Sequence, residues 1–281
     1  MMWLDGKSIA EEIKQELTKR LATIQPPPRL GIVVVGHNKA SEMFVGLKEK
    51  FARDIGIETR RYEFEEGIST NALRERMRDI VHEARNDGVI MQLPLPSQID
   101  TQAILNAITP EKDVDVLSAR SVGNIQVGKS KILSPVAAAV ESLFQKAGID
   151  VEGKHAVVVG YGRLVGQPLT AWLIEKKALV TVMSDEKYFD KDIIQQADII
   201  ISGAGKPRLI TGEMIQEGAV VVDVGTSEVE GVLAGDVDIE SVAKKASYMT
   251  PAKGGIGPLT VAFVFKNLFI LRGLMKSAID I

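Results

Sequence analysis

The sequence predicts an α/β fold divided into two domains. Short apolar runs alternate with helical patterns from one end of the chain to the other, the signature of sheets covered by helices. Two such series are separated by a looser region, 97–133. The apolar run 155–159 breaks off in glycines and continues directly into a helical pattern. A length of 281 residues suits two ordinary domains.

The elements follow in order. Positions 8–24 form an amphipathic helix stopped by Pro26-Pro27-Pro28. A buried strand over 29–35 leads to a helix over 40–55 ended by Gly56. A strand over 57–64 precedes a helix capped by Ser69. A third strand, 88–93, is closed by Pro94 and Pro96. This first domain is expected over 1–133. Pro135 opens a helix in the second domain, expected over 134–257, with strands at 155–159, 179–183, 198–201 and 219–224. A last helix over about 258–281 follows the loop Gly254-Gly255-Ile256-Gly257-Pro258 and completes the first domain. A cleft between two such domains is the expected ligand site.

Composition narrows the function. Hydrophobic content of 45% and charged content of 25% are globular values. The formal net charge of -3 gives no reason to expect a nucleic-acid or membrane partner. No apolar run reaches the about 18 residues of a membrane span. There is no cysteine, which excludes disulfides and thiolate chemistry and fits a reducing compartment. The three histidines, His37, His82 and His155, are scattered, so no metal site is expected. The first ten residues contain Asp5 and Lys7 and do not read as a leader. A cytoplasmic protein is expected.

The glycine break is the strongest motif. Gly160, Tyr161, Gly162, Arg163, Leu164, Val165 and Gly166 lie between strand and helix, spaced G-x-G-x-x-x-G. Gly160 and Gly162 allow a tight turn near a pyrophosphate, Gly166 allows close helix packing, and the first helical amides face the phosphates. Asp185 follows the next strand, near the offset of about 20 residues expected of an acid that binds a ribose 2′-hydroxyl. The alternative is a cap for the segment after it.

Three further residues carry possible chemistry. On a helical wheel Ala40, Phe44, Leu47, Phe51 and Ile55 line one arc, and Lys48 falls within it. Such a lysine either snorkels or is a desolvated amine suited to proton transfer near neutral pH. Gln92 stands at the carboxyl end of a strand, where ligands of α/β sheets bind. Asp113 and Asp115, two apart on an extended segment, point the same way. Asp115 suits a guanidine-like edge, or simply a turn.

Taken in order, Ala40-Ser41 leading to Lys48, Gln92-Leu93-Pro94-Leu95-Pro96, Lys112-Asp113-Val114-Asp115, the turn from Gly160 to Pro168, Val222-Asp223-Val224-Gly225, Gly235-Asp236-Val237, and Thr250-Pro251 with Gly254 to Thr260 resemble the bifunctional methylenetetrahydrofolate dehydrogenase/cyclohydrolase family. The resemblance covers nearly the whole chain. It implies a folate-binding catalytic domain, a Rossmann-type nucleotide domain and a homodimer. The implied reaction is oxidation of 5,10-methylenetetrahydrofolate by NAD or NADP, then hydrolysis to 10-formyltetrahydrofolate. Carried over by position, Lys48 is the cyclohydrolase catalyst and Gln92 orients it. Asp115 binds the pterin edge, Phe44 stacks on the folate, and Gly254, Gly255, Gly257 and Pro258 wall the folate cleft. Gly225 joins the glycine turn and Asp185 in the cofactor site.

Four positions depart from the family pattern. Phe44 replaces a tyrosine, keeping the ring and losing a hydroxyl. Tyr161-Gly162 replaces an Arg-Ser pair and Asp185 a serine, which together disfavour a 2′-phosphate and imply a preference for NAD; Arg163 could restore the missing cation. Val116 replaces a glycine, so the loop after Asp115 is expected to differ. Ala252-Lys253 replaces Val-Pro. These changes leave open a monofunctional dehydrogenase or a non-catalytic folate- or nucleotide-binding relative.

Overall fold

A computed structural model describes residues 1–225, 227–229 and 232–277. In chain order the elements are β1 (Met2–Trp3), α1 (Gly6–Leu21), β2 (Arg29–Val35), α2 (Lys39–Ile55), β3 (Glu58–Phe64), α3 (Thr70–His82), β4 (Gly88–Met91), α4 (Thr101–Leu105), α5 (Ala119–Gln126) and α6 (Pro135–Ala147). Then come β5 (His155–Val159), α7 (Gly166–Glu175), β6 (Leu179–Met183), α8 (Lys191–Gln195), β7 (Ile199–Ser202), β8 (Val220–Asp223), the antiparallel ribbon β9 (Ser227–Val229) and β10 (Val232–Ala234), α9 (Ile239–Val242), β11 (Tyr248–Met249) and α10 (Ile256–Leu271). The last helix ends earlier than expected, and its expected end at 278–281 lies outside the described residues. No helix among the described residues is long and apolar enough to cross a membrane.

The chain divides into two compact units. One comprises Glu11–Pro135 and Val261–Ile281. Its parallel sheet has the order β3-β2-β4. Every residue of β2 is buried, as its uninterrupted apolar run dictates for a central strand. One cluster packs Val33, Val35, Val89 and Met91 of the sheet with Leu73, Met77 and Ile80 of α3 and Ile104 and Leu105 of α4. The expected cap of α3 is present: Ser69 accepts the Ala72 amide at 3.3 Å. Elsewhere, Phe51 stacks on Phe265 with centroids 5.1 Å apart. Gly88 is required by close approach, since a Cβ there would lie 2.7 Å from both Leu268 and Val114.

The other unit comprises Met1–Ala10 and Val136–Thr260. Its main sheet, of six strands, is all parallel, in the order β1-β11-β8-β7-β5-β6. The first ten residues therefore depart from the expected boundary. Met2 and Trp3 pair with Tyr248 and Met249, extending this sheet instead of the first one. A two-residue strand is defined by its partner and has no periodicity of its own.

Candidate active site

Helix α2 presents Lys48 through a stripe different from the expected arc. Leu47 is 47% exposed and Phe44 and Phe51 are half-buried, while Ser41, Val45, Ala52 and Ile55 are buried. These positions run i, i+4, i+11, i+14, and Lys48 fills the gap at i+7, in the middle of the buried stripe. The burial of Ala40 lies outside the described residues.

Lys48 Nζ donates to Gln92 Oε1 at 2.9 Å. Gln92 is buried, follows β4 directly, and continues its ladder through its amide to the Val33 carbonyl at 2.9 Å. Burial lowers the Lys48 pKa, and the Asp115 carboxylate partly opposes that shift. Burial raises Asp115 to about 6 against the pull of Lys48, with Asp113 adding repulsion. Lys48, Gln92 and Asp115 thus form one electrostatic group within one unit. An amine and a carboxyl drawn toward neutral pH from opposite sides can exchange protons with a bound reactant.

The loop that supplies Asp115 is a turn, not the extended segment expected. Asp113 makes a single parallel bridge to Val89. Its buried carboxylate then accepts the Leu117 amide at 3.1 Å and the Ser118 amide at 2.8 Å. Asp113 is therefore a loop lock. Val116, directly after Asp115, takes φ +58°. The loop keeps a left-handed conformation that glycine would favour, although valine stands there.

Ser41 is a residue the sequence reading left without a role. It lies two turns before Lys48 on the same stripe, is 4% exposed, and its Oγ has no hydrogen-bond partner. An unsatisfied buried hydroxyl on the helix face that carries the desolvated amine calls for a partner that a ligand group could supply. Its spacing of seven from Lys48 was the available signal.

In the other unit, Gly160 has φ +88°. A Cβ on Gly166 would lie 2.0 Å from the Gly160 carbonyl oxygen, so α7 starts directly against the turn. Gly162 is less constrained than expected, because a Cβ there would meet nothing within 4 Å. Tyr161 is 45% exposed and Leu164 50%. Asp185, also exposed, accepts the Lys187 amide at 3.1 Å through Oδ1, the capping geometry foreseen as its alternative. Gly225 donates its amide to Asp223 Oδ1 at 3.0 Å. Gly254, with φ +86°, accepts the Lys7 amide through its carbonyl at 2.8 Å, and Gly255, Gly257 and Pro258 follow into α10.

Residues 4–115 match the tetrahydrofolate dehydrogenase/cyclohydrolase catalytic domain, and residues 134–274 its NAD(P)-binding domain. The chain belongs to this family. It is 40% identical over 275 residues to the bifunctional protein FolD of Halothermothrix orenii, covering 94% of this chain and 95% of that one. The fold is similar to the bifunctional FolD dehydrogenase/cyclohydrolase of Campylobacter jejuni, with a TM-score of 0.93 at 36% identity over 97% of this chain and 99% of that chain. It is also similar to the FolD dehydrogenase-cyclohydrolase of Trypanosoma brucei, whose structure holds NADP and an inhibitor. There the TM-score is 0.90 at 34% identity, over 96% and 97% of the two chains.

Proposed function

We propose that this protein oxidises 5,10-methylenetetrahydrofolate to the 5,10-methenyl cation and hydrolyses that cation to 10-formyltetrahydrofolate. The observation that carries the reading is the Lys48–Gln92 hydrogen bond beside Asp115, in a chain matched to both family domains. In the hydrolytic step water adds to the methenyl carbon and loses a proton; the hydroxyl of that adduct then gives up its proton as the carbon–N5 bond breaks and N5 takes one up, which leaves the formyl group on N10. Lys48, its pKa lowered by burial, is the group suited to take the proton that the water loses. Gln92 fixes the amine, and Asp115 accepts N–H groups of the amino-pyrimidine edge. Phe44 offers its ring to the folate. Gly254, Gly255, Gly257 and Pro258 are assigned to folate by the same family correspondence. Retention of Lys48 and Gln92 favours two activities over a dehydrogenase alone.

A dinucleotide fits the glycine turn. Gly160 and Gly166 leave no room for a Cβ, and α7 begins without a side-chain cap on its first amides, a combination that suits a pyrophosphate. When bound, NAD(P) supplies the hydride acceptor. Gly160, Tyr161, Gly162, Arg163, Leu164, Val165, Gly166, Asp185 and Gly225 are the residues assigned to hold it. Asp185 and the missing arginine at Tyr161 argue for NAD over NADP.

We assign the protein to the cytoplasm, with which the lack of cysteine is compatible, and to a homodimer through the nucleotide-binding unit. Edge strand β6 supports the dimer: Leu179 at its start is 64% exposed, and Ile174 near the end of α7 is 60% exposed. The test is a spectrophotometric assay with 5,10-methylenetetrahydrofolate and NAD or NADP in parallel. Methenyl and reduced-cofactor formation, faster with NAD, is expected. No turnover by the folded protein with either cofactor overturns the reading.

A further inference from the structure

Asp236 is fully buried and lies beyond the dinucleotide turn in sequence, yet it organises a loop against that turn. Its carboxylate accepts four hydrogen bonds. Oδ2 takes the Ser202 hydroxyl at 2.8 Å, the Ala204 amide at 2.7 Å and the Gly205 amide at 3.2 Å; Oδ1 takes the Lys206 amide at 2.7 Å. Three successive backbone amides of the segment after β7 thus converge on one carboxylate.

That segment touches the glycine turn. A Cβ on Gly160 would lie 2.7 Å from the Gly203 carbonyl oxygen, and one on Gly203 would lie 2.3 Å from Val165 Cγ1. Asp236 is itself fixed from the other side. Asp223 at the end of β8 accepts the amides of Gly225, Asp236 and Val237 at 3.0, 3.1 and 3.0 Å. A Cβ on Gly225 would lie 2.1 Å from the Asp236 carboxylate carbon. The ends of β7 and β8 are therefore tied together by two carboxylates, and the end of β5 lies against them through Gly160 and Gly203. Ligands of parallel sheets bind at such strand ends.

We infer that Asp236 is a positioning residue for the dinucleotide, holding the 203–206 segment as the second wall of the cofactor site. The inference rests on the proposed dehydrogenase reading. It separates the two activities, because the hydrolytic step at Lys48 uses no dinucleotide and Lys48 belongs to the other unit.

The test uses full-length Asp236→Asn and Ser202→Ala. An amide in place of the carboxylate turns an N–H toward the amides it formerly accepted. Ser202→Ala removes a single hydrogen bond and guards against failure of the first variant to fold. NADH and NADPH are titrated separately by fluorescence, and cyclohydrolase activity is measured on 5,10-methenyltetrahydrofolate. Asp236→Asn is expected to weaken binding of the preferred dinucleotide about ten-fold or more, and Ser202→Ala about two- to five-fold. Dehydrogenase KM for the dinucleotide rises in step, and cyclohydrolase kcat/KM stays within about two-fold. Unchanged dinucleotide affinity in Ser202→Ala or in folded Asp236→Asn overturns the inference, as does a parallel fall of both activities. A wild-type protein that binds neither dinucleotide overturns instead the reading on which the inference rests.

Discussion

The Gln92 side chain is oriented by its own neighbour: Nε2 donates to the Leu93 carbonyl at 2.8 Å, which leaves Oε1 as the acceptor 2.9 Å from Lys48 Nζ. The amine is therefore held by a neutral oxygen that accepts a hydrogen bond from either protonation state. A carboxylate at that position would hold the lysine charged.

Replacing Lys48 by methionine separates catalysis from stability. The thioether chain fills the same stripe without a desolvated amine. Cyclohydrolase activity is expected to fall by about 10²–10⁴-fold, while the melting temperature stays equal or rises. Hydrolysis at the wild-type rate in the folded variant removes Lys48 from the mechanism.

Gln92→Glu is expected to raise the Lys48 pKa, because an anion beside an amine favours its charged form. If hydrolysis requires the neutral amine, the rising limb of the cyclohydrolase pH profile moves to higher pH. A profile measured from pH 6 to 10 checks this. A limb that stays put or moves down shows that the amine is not the titrating base.

Asp115 makes stability depend on pH. Its folded pKa of about 6 lies above its ordinary value of 3.8, so the folded state binds the extra proton between those values. Its stabilising contribution is present below about pH 4 and is lost as pH rises through 6. Asp115→Asn has no such loss. Its melting temperature relative to wild type is expected to climb from pH 4 to pH 6 and level off above. The similarly raised Asp223 is common to both proteins and cancels. A difference that is flat from pH 4 to 8 would contradict this account.

Val116 is 4% exposed, packs with Ile132 and Ile270, and holds φ +58°. A left-handed L-residue costs about 1–2 kcal/mol, which glycine avoids. Val116→Ala loses packing worth about 1–2 kcal/mol and keeps much of the strain. Val116→Gly loses somewhat more packing but releases the strain. Glycine ordinarily ranks below alanine by about 1 kcal/mol. Here the glycine variant is expected to be at least as stable as the alanine variant in urea unfolding. The ordinary order would show that the valine is unstrained.

Much of this was legible in the sequence. The buried strands announced themselves as unbroken apolar runs, and Gly160 to Gly166 marked their turn by composition alone. Lys48 was found through an arc drawn one step off. Phe44, Leu47 and Phe51 dominate a hydrophobic wheel, whereas the fully buried line runs through Ser41, Val45 and Ala52, of which Ser41 and Ala52 carry little hydrophobic weight. The left-handed Val116 carried no local signal, since its β-branch argues for an extended backbone. The partners of Asp236 lie about thirty positions earlier, and only the folded chain joins them.

The proposed preference for NAD rests on two exposed positions. Tyr161 stands at the glycine turn without a charge, and Asp185 keeps one carboxylate oxygen on the Lys187 amide. A 2′-phosphate brought near Asp185 meets repulsion, whereas a ribose hydroxyl can donate to it. The double variant Tyr161→Arg with Asp185→Ser removes the anion and adds a cation. It is expected to move the kcat/KM ratio of NADP to NAD upward by about ten-fold or more. Arg163→Ala tests the remaining cation of the turn. Little change in its NADP/NAD ratio is expected if Asp185 sets the preference. A wild type that prefers NADP, and loses that preference in Arg163→Ala, would show that Arg163 supplies the missing charge and that repulsion at Asp185 is the weaker effect.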